Sequence, residues 1–316
     1  MIAVPERFAE WRIRADGESG RQWVRSLPMI VDRLLDRWGL TIDGTEPLYG
    51  ALSLVVLVRR GEQRLALKVT WPEASTRDEA IALRAWHGRG MVGLLDAEPD
   101  AGALLLERLD HTRSLHALPL WDAAEVAGSL IRTLAVPAPA GLRTLHEVAA
   151  GIRESLPRRQ RALGDPVPAG WAEAACRYAQ ELAGAGQHVL IHADLHYGNV
   201  LAATRVPWLA VDARALHGAP EYSVPELMWN RADELSTDAD VRRLLRVVAE
   251  AGSLDVEVAY GWVVARCVDY WLWSLEHGLT IEPVRCERVL SALAPVRGPV
   301  AGDVTDRSRP GLSSPR

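Results

Sequence analysis

The sequence predicts an α+β chain of two lobes, a small sheet-based amino-terminal lobe followed by a larger, mostly helical one. Three observations carry this expectation. A length of 316 residues exceeds a typical single domain, and 48% apolar with 24% charged residues is ordinary globular composition. Short apolar runs of strand length crowd into residues 52–107. From residue 121 onward apolar residues recur at helical spacing, interrupted mainly at 188–212.

Residues 22–40 set Trp23, Leu27, Ile30, Val31, Leu34, Leu35 and Trp38 on a helical face that closes near Gly39. The apolar runs 52–58 and 65–70 flank Arg60-Gly61-Glu62, which reads as a hairpin. Helical character returns over 76–89, and two strands are expected at 91–96 and 104–107. Beyond His111, helices are expected over 121–136, 142–156, 171–185, 241–251, 256–276 and 285–293. Proline, arginine and glycine make 156–170 a surface connection, and Trp262, Trp271 and Trp273 are expected in the core. The division is therefore a small sheet-based lobe over 1–108, a helical lobe over 109–298 and a disordered tail over 299–316.

Lysine and arginine total 36 against 41 acids, a net charge of −5, which argues against a surface built to coat nucleic acid. Three scattered cysteines point to a reducing compartment without a disulfide framework or a cysteine zinc site. Residues 1–20 mix acids and arginines with no apolar core, unlike a signal peptide, and no apolar run has membrane length. A cytoplasmic monomer without nucleic-acid or membrane partners is expected.

The richest stretch is His192-Ala193-Asp194-Leu195-His196-Tyr197-Gly198-Asn199, between the apolar runs 189–191 and 200–201. A turn then leads through Trp208-Leu209-Ala210-Val211 to Asp212. Pairing 200–202 with 208–211 brings Asn199 and Asp212 together at the open end of a hairpin, near Asp194. Phosphoryl transfer needs such a set: a carboxylate to orient the attacking hydroxyl, and an amide oxygen and second carboxylate to hold Mg²⁺. Two other readings compete. His192, Asp194 and His196 alternate, as zinc ligands on one strand face would, and Asp and Asn also cap simple polar turns. The downstream hairpin ending in Asp212 favours phosphoryl transfer.

The amino-terminal lobe supplies matching parts. Lys68 is the one lysine that falls mid-strand, in Leu65-Ala66-Leu67-Lys68-Val69-Thr70, and Glu79 follows eleven residues later in a helix. A strand lysine and a helix acid grip the α and β phosphates of a nucleotide. The alternatives are an exposed edge lysine, and a capping box in which Glu79 reaches back to Thr76. Leu48-Tyr49-Gly50-Ala51-Leu52-Ser53 is a glycine-poor candidate for a phosphate-covering loop, with Gly50 and Ser53 as its contacts.

The H-x-D-x-H-x-x-N loop resembles the catalytic loop of the aminoglycoside phosphotransferase family. The runs 79–86, 104–109, 227–231 and 273–278 resemble its streptomycin 6-phosphotransferase and hydroxyurea phosphotransferase group, over roughly residues 20–295. That resemblance implies a protein-kinase-like bilobal fold. It implies ATP-dependent, Mg²⁺-assisted phosphorylation of a hydroxyl on a streptomycin-like aminoglycoside, giving antibiotic resistance. Asp194 would be the catalytic aspartate, Asn199 and Asp212 the metal ligands, and Glu107, Arg108 and Leu109 the adenine-binding hinge. The chain departs from the group at Ala193, where glycine is usual, and at Ala219 and Ser223, where acids are usual; Glu221 is a candidate to compensate.

Residues 221–240 carry six acids against Arg231, a net of −5. A cationic acceptor would suit such a wall, so Glu221, Glu226, Asn230, Asp233 and Glu234 are substrate candidates, with Asp269 and Glu276 on the face of a later helix. Against this stands the commoner cause of acidic clusters, a solvated helix face. The alternatives to an aminoglycoside kinase are a kinase of another small cationic metabolite or peptide antibiotic, a catalytically weakened kinase-like binding protein and a zinc hydrolase.

Overall fold

The computed structural model describes residues 2–71 and 74–294, with side chains at 74–76 set aside; the expected tail over 299–316 lies outside the described residues. Helix α1 (Glu6–Trp38) is longer than the 22–40 pattern suggested. It bends at Gly17, whose φ of 60° and ψ of −132° favour glycine. The two halves then close so tightly that a Cβ at Gly20 would stand 2.4 Å from the Arg12 carbonyl oxygen.

Strands β1 (Thr41–Ile42), β2 (Leu48–Tyr49), β3 (Ser53–Arg60), β4 (Gln63–Thr70), β5 (Leu94–Glu98) and β6 (Ala103–Glu107) form one antiparallel sheet, ordered β1-β3-β4-β6-β5 with β2 on β3. The β3–β4 hairpin pairs Val55 with Lys68. Period-2 alternation sorts the two faces. Leu54, Val56, Val58, Leu65, Leu67, Val69, Ala103 and Leu105 pack against Trp23, Leu27, Val31 and Leu34 of α1. Val55, Leu57, Ala66 and Lys68 are left on the opposite face, toward the second lobe. Helix α2 (Ala74–Trp86) packs there too, and Trp86 donates to the Leu134 carbonyl at 2.8 Å.

The second lobe comprises β7 (Asp110–Ser114), α3 (Leu120–Leu134), β8 (Val136–Pro137), α4 (Leu145–Ala162), α5 (Ala169–Leu182), β9 (Val189–His192), β10 (Val200–Ala202), β11 (Trp208–Ala210), β12 (Ala215–Gly218), α6 (Pro225–Trp229), α7 (Asp238–Gly252), α8 (Val256–Glu276) and α9 (Ile281–Leu293). Two three-stranded sheets, β12-β9-β8 and β11-β10-β7, flank the β9–β10 loop. Helix α4 overturns the expected connection over 156–170. It continues through Pro157 to Ala162 because Leu156 and Gln160 are buried, so packing outweighs the hydrogen bond that proline omits. The Trp273 expectation also fails. Trp262 and Trp271 are core, but Trp273 is 39% exposed and stacks between Tyr270 and His277. No helix among the described residues is long and apolar enough to cross a membrane.

Candidate active site

Lys68 is the only lysine in the chain, and the sheet carries it to a buried position between three carboxylate oxygens. Its ammonium donates to both Glu79 oxygens at 2.7 Å and to Asp212 Oδ1 at 2.6 Å. The edge-lysine alternative is thereby excluded. Thr76, the partner in the capping-box alternative, has its side chain outside those described. Burial alone would lower the Lys68 pKa, but Glu79 and Asp212 outweigh it and raise it. Burial pushes the Glu79 carboxyl up, against the pull of Lys68, while Lys68 draws Asp212 down. One ammonium thus serves two carboxylates, and the deeper one keeps the stronger desolvation.

The β9–β10 loop is anchored by its own hydrogen bonds. Asn199 Nδ2 donates to the Asp194 carbonyl at 2.9 Å, and Val211 N–H to the Asn199 carbonyl at 2.9 Å. Ala193 N–H donates to the Arg214 carbonyl at 2.9 Å. Buried His192 accepts from the Asp194 N–H through Nδ1 while Nε2 faces the Val211 carbonyl at 2.9 Å, so Nε2 carries the proton. Burial holds this ring neutral. Both nitrogens are spent, and His196 Nδ1 accepts from Gly198 N–H. The zinc arrangement of His192, Asp194 and His196 therefore does not form. Among the described residues no three His, Cys, Asp or Glu side chains converge as a metal site. Ala219 and Ser223 are buried and offer the loop no carboxylate, and Glu221 accepts from Asp255 N–H at the start of α8 rather than from the loop.

Three cavities meet at these residues. The first, about 210 Å³, is lined by Gly50, Ser53, Ala66, Lys68, Leu106, Glu107, Arg108, Leu109, Asn199 and Asp212, among others. Gly50 N–H donates to the Ser53 carbonyl at 2.9 Å, closing the glycine-poor loop above it. At the interlobe connection the Glu107 carboxylate is held by Gly93 N–H and Arg205, and Arg108 pairs with Asp43. Both side chains are thus engaged by partners of their own, and Glu107, Arg108 and Leu109 all border the cavity. The second cavity, about 90 Å³, is a corner between Ala51, Lys68, Glu79, Asp194, Asp212 and Arg214. The third, about 540 Å³, is walled by α4, Leu52, Asp78, Arg143, Ala193, Arg214, Tyr222, Arg266 and Asp269. Lys68 and Asp212 are common to the first two, and Leu52 and Arg214 to the last two, so the three run in series.

The acidic wall over 221–240 is not assembled. Asp233 pairs with Arg285, and Glu234 with Arg231, which also donates to the Leu118 carbonyl. Asn230 borders none of the three cavities, and its Oδ1 is buried without a partner among the described residues. Glu226 lies behind the large cavity, bound to Arg266 at 3.1 Å, with its carboxyl pushed up by burial to about 7. Asp269 does line that cavity, clamped between Arg159 and Arg266, and Arg159 also holds Glu276. These acids are paired with arginines of their own lobe. Composition showed their number, and the partners lie 3 to 117 positions away in sequence. The residues missed are the arginines Arg143, Arg214 and Arg266 and the half-buried Asp78; only Arg214, two residues after Asp212, had a local signal.

The donor set suits Mg²⁺. The Asp212 carboxylate and the Asn199 amide oxygen, left over when Nδ2 is bonded to the loop, both border the first cavity, and both are hard oxygens. A two-lobed fold with a lysine–acid pair on one side of such a cleft and a catalytic-type loop on the other defines a small-molecule kinase. More narrowly, the chain belongs to the family of aminoglycoside/hydroxyurea antibiotic resistance kinases, whose pattern matches residues 37–278. It is 41% identical to the streptomycin 6-kinase of Streptomyces griseus over 290 residues, covering 88% of this chain and 93% of the relative. It is 38% identical to the hydroxyurea phosphotransferase of Kitasatospora aureofaciens over 292 residues, covering 90% and 84%. Among solved structures, the fold is similar to aminoglycoside phosphotransferase APH(4)-Ia in complex with ADP and hygromycin B, at a TM-score of 0.59 and 16% identity, covering 84% of this chain and 98% of that one. It is also similar to choline kinase LicA of Streptococcus pneumoniae, at a TM-score of 0.58 and 15% identity, with coverage of 84% and 98%.

Proposed function

We propose that this kinase transfers the γ-phosphoryl group of ATP to a hydroxyl of a streptomycin-like aminoglycoside and so inactivates it. The observation that carries the proposal is the corner where Lys68, Glu79 and Asp212 face Asp194, open to the cavity beside the Gly50 loop on one side and to a larger one on the other. Identities of 39% and 41% to two streptomycin 6-kinases support the acceptor class.

In this reading the Lys68 ammonium, held by Glu79, binds the α and β phosphates in the first cavity. Asn199 and Asp212 would hold Mg²⁺, which neutralises phosphate charge when bound. Asp194 orients the acceptor hydroxyl and takes its proton as that oxygen bonds to the γ phosphorus and the bond to the β–γ bridging oxygen breaks. The third cavity holds the acceptor. Asp269 already neutralises Arg266 and Glu226 does not line the cavity, so Asp78 and Asp194 are the carboxylates left to meet guanidinium groups.

Incubation with Mg-ATP and streptomycin should release ADP and give a product heavier by one phosphoryl group. Hydroxyurea and other aminoglycosides complete the panel. Binding of Mg-ATP without any phosphorylated product across that panel would refute the proposal.

A further inference from the structure

Arg214 stands where the phosphate corner opens into the acceptor cavity, and it lines both. Its backbone is fixed: the carbonyl accepts from Ala193 N–H, next to Asp194, and β12 begins at the following residue, where Ala215 pairs with His192. Two residues earlier, Asp212 has a φ of 59°, the left-handed turn that leads the chain out of the metal-ligand position. The Arg214 side chain itself is 65% exposed. Its Nε approaches Asp194 Oδ2 at 3.9 Å, too far for a hydrogen bond, and no hydrogen bond engages the guanidinium among the described residues. The other cation of the corner differs. Lys68 spends its ammonium on Glu79 and Asp212. Arg214 is therefore the corner cation with unspent donors, beside three carboxylates.

We propose that Arg214 is a catalytic residue that grips the phosphoryl group while it crosses from nucleotide to acceptor, an inference that rests on the kinase reading above. As the acceptor oxygen bonds to phosphorus and the bond to the leaving β-phosphate oxygen breaks, negative charge spreads over the equatorial oxygens. A planar guanidinium with several donors matches that charge, and its approach also offsets the repulsion between Asp194 and the incoming phosphate. Arg214 moves no proton.

Arg214→Ala and Arg214→Lys test this in the full-length protein. Arg214→Ala should lose about 100-fold or more in turnover, as removal of one transition-state donor does, with the ATP KM changed by less than about threefold. Affinity for ADP with tetrafluoroaluminate, which mimics the group in flight, should fall while affinity for ADP alone holds. Added guanidinium should partly rescue Arg214→Ala, and Arg214→Lys should lie between the two. Turnover within about threefold of wild type, or equal losses of ADP and ADP-tetrafluoroaluminate binding, overturns the proposal. Should wild type phosphorylate no acceptor, the functional reading fails by itself. Slow ATP hydrolysis by water then reads Arg214 by the same criteria.

Discussion

Replacing Lys68 with methionine measures how far the amino-terminal lobe depends on its buried ammonium. The side chains are similar in bulk, so the perturbation is the loss of one charge and three hydrogen bonds of 2.6–2.7 Å. Glu79 is then 4% exposed with its counter-ion gone. An unpaired buried carboxylate takes up a proton rather than remain charged. Holding that proton at pH 7 on a carboxyl of ordinary pKa 4.5 spans two and a half pH units at about 1.4 kcal/mol each, or about 3.5 kcal/mol. This is a ceiling, because burial already raises Glu79 in the native protein. Asp212, half exposed, turns to solvent and adds little. The raised pKa of the folded variant sets the sign: its Glu79 stabilises the fold below the unfolded value and loses that contribution as pH rises. Urea unfolding should show Lys68→Met about 3 kcal/mol less stable than wild type at pH 7, with the gap shrinking below about 1 kcal/mol near pH 5. Phosphotransfer should be lost at both. A destabilisation constant from pH 5 to pH 8 would refute the argument, because it would mean Glu79 never needed Lys68.

Asp194→Asn keeps size and hydrogen bonding, so it should bind Mg-ATP nearly as well as wild type yet transfer at least ~100-fold more slowly. Asp212→Asn should also lose magnesium-dependent nucleotide affinity; calorimetry with and without Mg²⁺, paired with turnover, separates the two roles, and normal Mg-ATP binding by Asp212→Asn would contradict them. Glu226 holds its proton up to about pH 7 in the folded chain, against an ordinary value of 4.5, so its contribution is full at low pH and lost as pH rises through 7. Glu226→Gln should flatten the stability curve across that window in thermal denaturation, and an unchanged slope would count against the buried proton. At Gly128 a Cβ would stand 2.6 Å from the Val248 carbonyl oxygen and 2.8 Å from the Ala251 Cβ. Gly128→Ala should push α3 and α7 apart at a cost of about 1–3 kcal/mol; an unaltered Tm would show that the two helices yield freely.

Much of the site was legible because its parts are local patterns. Alternation of Leu65, Leu67 and Val69 with Ala66 and Lys68 assigns Lys68 to the face away from α1. The bounds 256–276 of α8 follow from its continuous apolar content, and the spacing of Asp194, Asn199 and Asp212 from a loop joined to a short hairpin. What resisted was every pairing between distant elements. Six acids over 221–240 looked like a substrate wall, yet Arg285 takes Asp233, Arg266 takes Glu226 and Arg231 takes Glu234. Pro157 and its neighbours looked like a surface connection until burial of Leu156 and Gln160 kept α4 helical. Residue order by itself determined which faces are apolar, where turns fall and which chemistry-bearing residues stand together in a loop, because these depend on periods of two and 3.6 and on turn stereochemistry. Only the tertiary structure decided which charges are spent on each other and which, as at Arg214, keep their hydrogen-bond donors unspent at the cavity, because such contacts depend on distances of a few ångströms that exist only once the helices have packed.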